Sequence, residues 1–223
     1  FTLRARGSWR GDTVDLAQIE ATAPQLLALH GNATLTLGAT PELALGRLVI
    51  EALEFPAAYT SLMQITLAAT DFGDLVTAGR ASGTARFAHN ALERIDLQLE
   101  HFSTYNEREF FMKDVAGELH WAAATNADVS PSWLSWSSGG AYGLSGGASR
   151  VAFVTRAASF ALIEPWHMPI FDGAIDIRTL AVSGAGTPDM NVRFDADIEP
   201  ISMPPICKAF GWPEFSGRIG GRI

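Results

Sequence analysis

A chain of 223 residues, 48% hydrophobic and only 18% charged, has the composition of a folded protein of one domain or two small ones, which excludes disorder of the whole. Its net charge of −8 and pI near 5.1, with Lys and Arg scattered singly, argue against nucleic acid and against a polybasic contact with anionic lipid. The single cysteine, Cys207, can form no intrachain disulfide, has no second thiol for a metal, and reads as a buried small hydrophobe. No apolar run reaches the roughly 20 residues of a membrane span, and no basic and apolar leader opens the chain.

In chain order, Phe1-Thr2-Leu3-Arg4 is already strand-like and the first residue is not Met. The last residues, Gly217 to Ile223, are strand-like too, so a segment of a longer protein is expected. Leu16 to Leu29 has some helical spacing, but Pro24 and Gly31 would break a helix there. Alternation of apolar and polar residues then recurs at Ala33 to Leu37, Leu45 to Phe55, Leu62 to Ala69, Leu75 to Ala88 and Val115 to Ala123. It is clearest at Ile95 to His101, where Ile95, Leu97 and Leu99 face one way and Asp96, Gln98 and Glu100 the other. Further copies lie at Val151 to Ile163, Ala174 to Val182 and, over a longer stretch, Met190 to Ile198.

Turn chemistry separates these strands at Thr40-Pro41, Phe55-Pro56, Asp71 to Asp74, His89-Asn90, Asp172-Gly173 and Gly184 to Asp189. Short connections between long strands imply an antiparallel meander, because parallel neighbours need crossovers of a dozen residues or more. From Asn126 to Ser149 the chain turns Ser- and Gly-rich, with Trp133, Trp136 and Tyr142 interspersed, and reads as a loop or broken strand pair anchored by Trp. One helix is expected at Ser202 to Phe210: Ser202 can cap it, Pro204 and Pro205 suit a first turn, and Gly211 can stop it. Ile206, Cys207 and Phe210 would form its buried stripe. The expected fold is mainly β, a long antiparallel meander curled into a groove or half-barrel. Residues 1–125 and 150–223 are its two sheet segments, and 126–149 joins them into one continuous groove.

Candidate chemistry is sparse. Gly143-Leu144-Ser145-Gly146-Gly147 matches a nucleophile-elbow pattern, which needs a strand before the Ser and a helix after it; neither context is expected. His30, His89, His101, His120 and His167 lack the close spacing of a helical zinc site, and each reads as a structural histidine. His101 is expected on the apolar side of its strand and His120 on the polar side. Asp172, Asp176, Asp195 and Asp197 fit a turn and the solvent side of strands better than an acid–base pair. No phosphate-cradling loop supports a nucleotide cofactor. No cofactor and no enzymatic activity are expected.

The last third of the chain resembles the AsmA-like bacterial envelope proteins, most closely the YdbH branch, related to TamB and YhdP. The residues that carry it are Met168-Pro169-Ile170-Phe171-Asp172-Gly173-Ala174-Ile175, Asp195-Ala196-Asp197-Ile198-Glu199-Pro200-Ile201-Ser202-Met203, Ala209-Phe210-Gly211-Trp212-Pro213 and Gly217-Arg218-Ile219-Gly220-Gly221. Where family members usually have a Gly-Gly turn, Asp172-Gly173 stands. The resemblance implies a periplasmic protein held at the inner membrane by an anchor outside this segment. It also implies a groove lined by apolar side chains that conducts phospholipid towards the outer membrane, with an outer-membrane lipoprotein or barrel as a partner. Acyl chains gain roughly 0.8 kcal/mol per CH₂ removed from water, so such a groove needs no specific polar contact. Leu35, Leu37, Ile65, Leu67, Ile95, Leu97, Leu99, Val192 and Phe194 are expected to face it. The competing reading is a structural β-module that binds another envelope protein through a strand edge.

Overall fold

The computed structural model describes residues 1–68, 73–106, 110–124 and 129–223. The start of the turn expected at Asp71 and the first residues of the stretch from Asn126 lie outside the described residues. Seven long strands come first: β1 (Thr2–Arg10), β2 (Thr13–Ala23), β3 (Leu27–Thr36), β4 (Glu42–Phe55), β5 (Val76–Ala88), β6 (Ala91–Tyr105) and β7 (Phe111–Ala122). Each pairs antiparallel with the next, so chain order is sheet order. The meander expected from alternation and short turns is what is found. The two-residue turn His89-Asn90 between β5 and β6 has both residues at positive φ, 49° and 61°, the geometry that matches strand twist in a two-residue hairpin.

Shorter strands follow: β8 (Ser132–Trp136), β9 (Ser138–Ala141), β10 (Leu144–Gly146), β11 (Ser149–Arg156), β12 (Ser159–Leu162) and β13 (Trp166–Ile170). The long β14 (Gly173–Ser183) and β15 (Asn191–Ser202) and the final β16 (Arg218–Arg222) complete the sheet. From β8 the sheet runs on through β11, β12, β14, β13, β10 and β9, and β9 pairs back onto the start of β7. β15 and β16 extend from the other side of β14. The Ser- and Gly-rich stretch is thus three short strands within the sheet. The turn expected at Asp172-Gly173 sits one residue earlier, at Phe171-Asp172, because Gly173 already pairs with Ile170.

One expected strand is not a strand. The described residues of Leu62 to Ala69, which leave out Ala69, fall in a π-helical turn, Tyr59–Met63, and in α1 (Gln64–Leu67), into which it runs. β4 and β5 hydrogen-bond directly to each other, so the segment between them has no ladder to join and satisfies its backbone groups locally. Conversely, Leu16 to Leu29 carries no helix; it is the end of β2, a turn and the start of β3. The C-terminal helix is α2 (Met203–Phe210), closed by Gly211 at φ 65°. Its buried residues are Met203 and Cys207; Phe210 is 45% exposed and stacks on Trp212 at 5.2 Å, so it leaves the expected stripe. Ser202 does not cap α2 with its side chain. Its hydroxyl donates to Asp172 Oδ2 at 2.6 Å instead, a charged acceptor being the stronger one.

Two regularities shape the sheet. Bulges fall between apolar residues three apart, at Leu16/Ile19, Ile50/Leu53 and Leu99/Phe102, and again at Ile177/Leu180 and Ile198/Ile201. Three residues on one strand then span two on its partner, which returns both apolar side chains to the same side. Secondly, Gly7, Gly31, Gly83 and Gly117 stand on alternate strands β1, β3, β5 and β7, and a Cβ on any of them would lie 2.0–2.2 Å from a carbonyl oxygen of the next strand. Only a residue without a side chain permits so sharp a local bend between neighbours. Gly83→Ala is expected to lower the unfolding free energy by about 2–3 kcal/mol. Gly46→Ala, whose nearest atoms would be side chains at 3.5 Å or more, should cost under about 1 kcal/mol; urea denaturation of the two variants makes the comparison.

Candidate functional site

Residues directly opposed in a ladder share a face of the sheet, so the register defines rows. One row runs Leu3, Ala21, Leu29, Ile50, Gly83, Leu97 and Leu119 across β1 to β7. A second runs Ala5, Ile19, Gly31, Leu48, Ala85, Ile95 and Trp121 along the same seven strands. A third runs Ala23, Leu27, Leu53, Ala81, Leu99, Gly117 and Leu134 over β2 to β8. Every member is apolar. Between them lie polar rows such as Arg4, Glu20, His30, Val49, Thr84, Asp96 and His120, in which only Val49 is apolar.

Most of this apolar face is only half-buried. Over β4 to β6 it is covered where Ala58, fully buried, packs with Leu53 and Ala81 against Leu26, Leu27, Ile50, Phe55 and Leu99, and it is buried again on β14 and β15 at Ile177, Ala196 and Ile201, as are Met203 and Cys207 of α2. Away from that cover, Leu3 and Trp9 on β1 are 60% and 71% exposed. A further apolar hollow of about 330 Å³ lies between β7, β9, β10 and β13, lined by Phe111, Met112, Trp136, Leu144, Trp166 and Met168 among others. Its walls include Trp136 and Trp166 in edge-to-face contact at 5.8 Å. Trp133 lies outside the hollow's lining, beneath the Arg150 guanidinium at 5.0 Å, and Tyr142 is 66% exposed.

The expected groove residues divide accordingly. Ile95, Leu97 and Leu99 stand one on each apolar row, and Leu35 lies opposite Val14 and Leu43 on the same face. Leu37 falls just beyond β3, its N–H donating to Asp12 O at 2.6 Å. Val192 and Phe194 lie opposite Val182 and Leu180, 54% and 44% exposed, and the face reaches them through Thr155, Phe160 and Val182. Ile65 and Leu67 do not line a strand, being on α1, and Ile65 is 87% exposed. Alternation alone misses Leu3, Ala21, Leu29, Ile50 and Leu119, because small residues and bulges interrupt the pattern on their strands.

The polar side is held by charge pairs. Each histidine is hydrogen-bonded through Nδ1 to a carboxylate oxygen: His30 with Glu51 (3.1 Å), His89 with Glu42 (2.6 Å), and His101, His120 and His167 with Asp114, Asp96 and Asp176 (2.7 Å each). His101 is not on the apolar side as expected; it sits in the Leu99/Phe102 bulge at φ 48° and its side chain is 89% exposed. His167, Asp176 and Glu199 bring ligand atoms within 4.8 Å of one another, on the exposed polar side, and the recurring His–carboxylate pairing accounts for their closeness. Asp172 meets Ser202 and Arg218, Asp195 meets Arg222, and Asp197 meets Arg178. Ser145 lies within β10, between β9 and β13, with no helix after it, so the elbow geometry is absent.

Burial works against ionisation of Asp96, but hydrogen bonds from Arg94 and His120 and their charges outweigh it and hold its carboxyl below the ordinary value. A depressed carboxylate contributes stability that is complete above its ordinary value of about 4 and is lost as pH falls through the folded value. Asp172 is lowered chiefly by the Ser202 hydroxyl and backbone N–H. Within the sheet, the Thr77 and Thr104 hydroxyls face each other across β5 and β6, 4% and 6% exposed and without a hydrogen-bond partner. No protein family, curated protein or solved structure matches the chain.

Asp96→Asn is expected to cost about 1–3 kcal/mol at neutral pH, with the gap from wild type narrowing below about pH 4 in urea titrations. Thr104→Val, which removes an unpaired buried hydroxyl at nearly constant shape, should raise stability by about 1 kcal/mol, read as an upward shift of the urea midpoint.

Proposed function

We propose that this chain is a non-enzymatic segment of an AsmA-like, YdbH-type periplasmic protein whose apolar sheet face binds the acyl chains of phospholipids passing between the inner and outer membranes. The observation that carries the reading is the apolar face, three rows deep and seven strands wide, most of whose residues are only half-buried. An uncovered face of this kind favours occupants that need area and no directed polar contacts, as acyl chains do. The terminal resemblance supports the envelope assignment: its motifs fall in sequence on the β13–β14 hairpin, the end of β15 with α2, and β16.

Native mass spectrometry of protein taken from membranes is expected to find co-purifying phospholipid. Leu29→Asp with Leu97→Asp, which places two charges in one apolar row, should reduce bound lipid at least about tenfold while leaving the circular-dichroism spectrum β-rich. No bound lipid on the wild type, together with apolar rows shielded from solvent probes, would refute the reading. A second reading, docking of another envelope protein by strand addition, is favoured by β1, which pairs only with β2 and is exposed at every residue. A partner would then protect the β1 amides from hydrogen exchange and leave the lipid content unchanged.

A further inference from the structure

Lys and Arg lie singly along the chain, and the register of the sheet gathers three of them. Arg47 on β4 is directly opposite Arg86 on β5, and Arg86 is directly opposite Arg94 on β6. Asn32 on β3 continues the same polar row beside Arg47. Arg94 is fully engaged: its guanidinium donates to the two oxygens of Asp96 at 3.0 and 2.8 Å and to Ser130 Oγ at 3.0 Å. Asp96 in turn also holds His120, so it has little left to offer Arg86. Arg47 and Arg86 are exposed, and among the described residues neither has a hydrogen bond, ion pair or ring contact. Elsewhere on the sheet Arg80 pairs with Glu54, Arg178 with Asp197 and Arg222 with Asp195.

Side chains directly opposed across an antiparallel pair have Cβ atoms about 4.5–5.5 Å apart, and like charges placed so are destabilising. Two guanidinium forks at that separation can close on one tetrahedral anion, each offering paired N–H donors to phosphate oxygens. Asn32 adds an amide donor at the end of the row. A bound anion would turn the repulsion between the two charges into two charge-assisted contacts.

We propose that Arg47 and Arg86, with Asn32 beside them, form a binding site for a phosphate group on the polar side of the sheet. The phosphate is either free or carried by a lipid headgroup. Arg86 lies near the end of β5, close to the His89-Asn90 turn. The site stands whether or not the apolar side takes up acyl chains.

The test is thermal unfolding of the whole chain with inorganic phosphate against chloride at matched ionic strength, followed by phosphate calorimetry on wild type, Arg47→Gln, Arg86→Gln and the double variant. Phosphate is expected to raise the melting temperature of the wild type beyond the chloride control. Each single variant should weaken phosphate binding at least tenfold, and the double variant should abolish it. Without phosphate, Arg86→Gln should melt at or above the wild-type temperature, because one of two opposed charges is gone; a residue with a merely structural role would lower it. Vesicles containing phosphatidic acid that displace phosphate identify a headgroup as ligand, whereas phosphate binding indifferent to such vesicles identifies the free anion. No phosphate-specific shift in the wild type, or an equal shift in the folded double variant, overturns the proposal.

Discussion

The constraint on which the structure depends is the two-residue side-chain period, held in phase across successive strands that have almost no second layer to pack against. A sheet in an ordinary sandwich is covered by its partner, and a slip of phase at one strand is corrected by contacts from above. Here the neighbours on either side supply nearly all the context, so phase is kept within the ladder itself. The bulges do this work. Leu16 and Ile19, Ile50 and Leu53, and Leu99 and Phe102 are each three apart, and in regular strands the members of each pair would point to opposite sides. The extra residue at each bulge brings both back to the apolar face. The glycines on alternate strands act with the bulges, since Gly31, Gly83 and Gly117 let a carbonyl oxygen of the next strand approach where a Cβ would collide.

The same device explains what is legible in the sequence. Ile95 to Leu99 and Val192 to Ile198 keep strict alternation, and there the strand and its apolar facing can be read from the order of side chains alone. Past Leu99 the phase shifts by one, so extrapolating the pattern carries His101 to the wrong side, while Phe102, which breaks the pattern, is the residue that continues the apolar face. β2 is obscured for a related reason: its Leu16/Ile19 bulge imitates helical spacing, and the competing helix at Leu16 to Leu29 draws on it. The segment from Leu62 to Ala69 fails differently. Its residues alternate, but alternation predicts a strand only where a partner edge exists, and β4 and β5 have already taken each other. Ile65 and Leu67 go with it.

The polar side obeys a second economy of contacts. With a net charge of −8 on a chain that exposes both edges of every row, unpaired carboxylates repel one another unless cations are set against them. The five histidines each meet a carboxylate, and several arginines do the same across strand pairs. Exposed pairs of this kind contribute little each, yet their repetition fixes which residues stand opposite which and so reinforces the register that the apolar face requires. Against that background the Arg47–Arg86 pair stands out because the two like charges are directly opposed.

What finally separates a groove from a core is cover, and burial measures it. Beneath the π-helical turn, where Ala58 packs down, Leu53 and Ala81 are 8% and 2% exposed. At the uncovered strands the same face leaves Leu3 at 60% and Val192 at 54%. The chemistry of the face does not change between these places; only the presence of something above it does. The covering segment itself contains no charged residue from Phe55 to Thr70 and turns Leu62 and Ile65 outward, 51% and 87% exposed. A helical segment that turns apolar side chains outward as well as inward fits an apolar surrounding better than water.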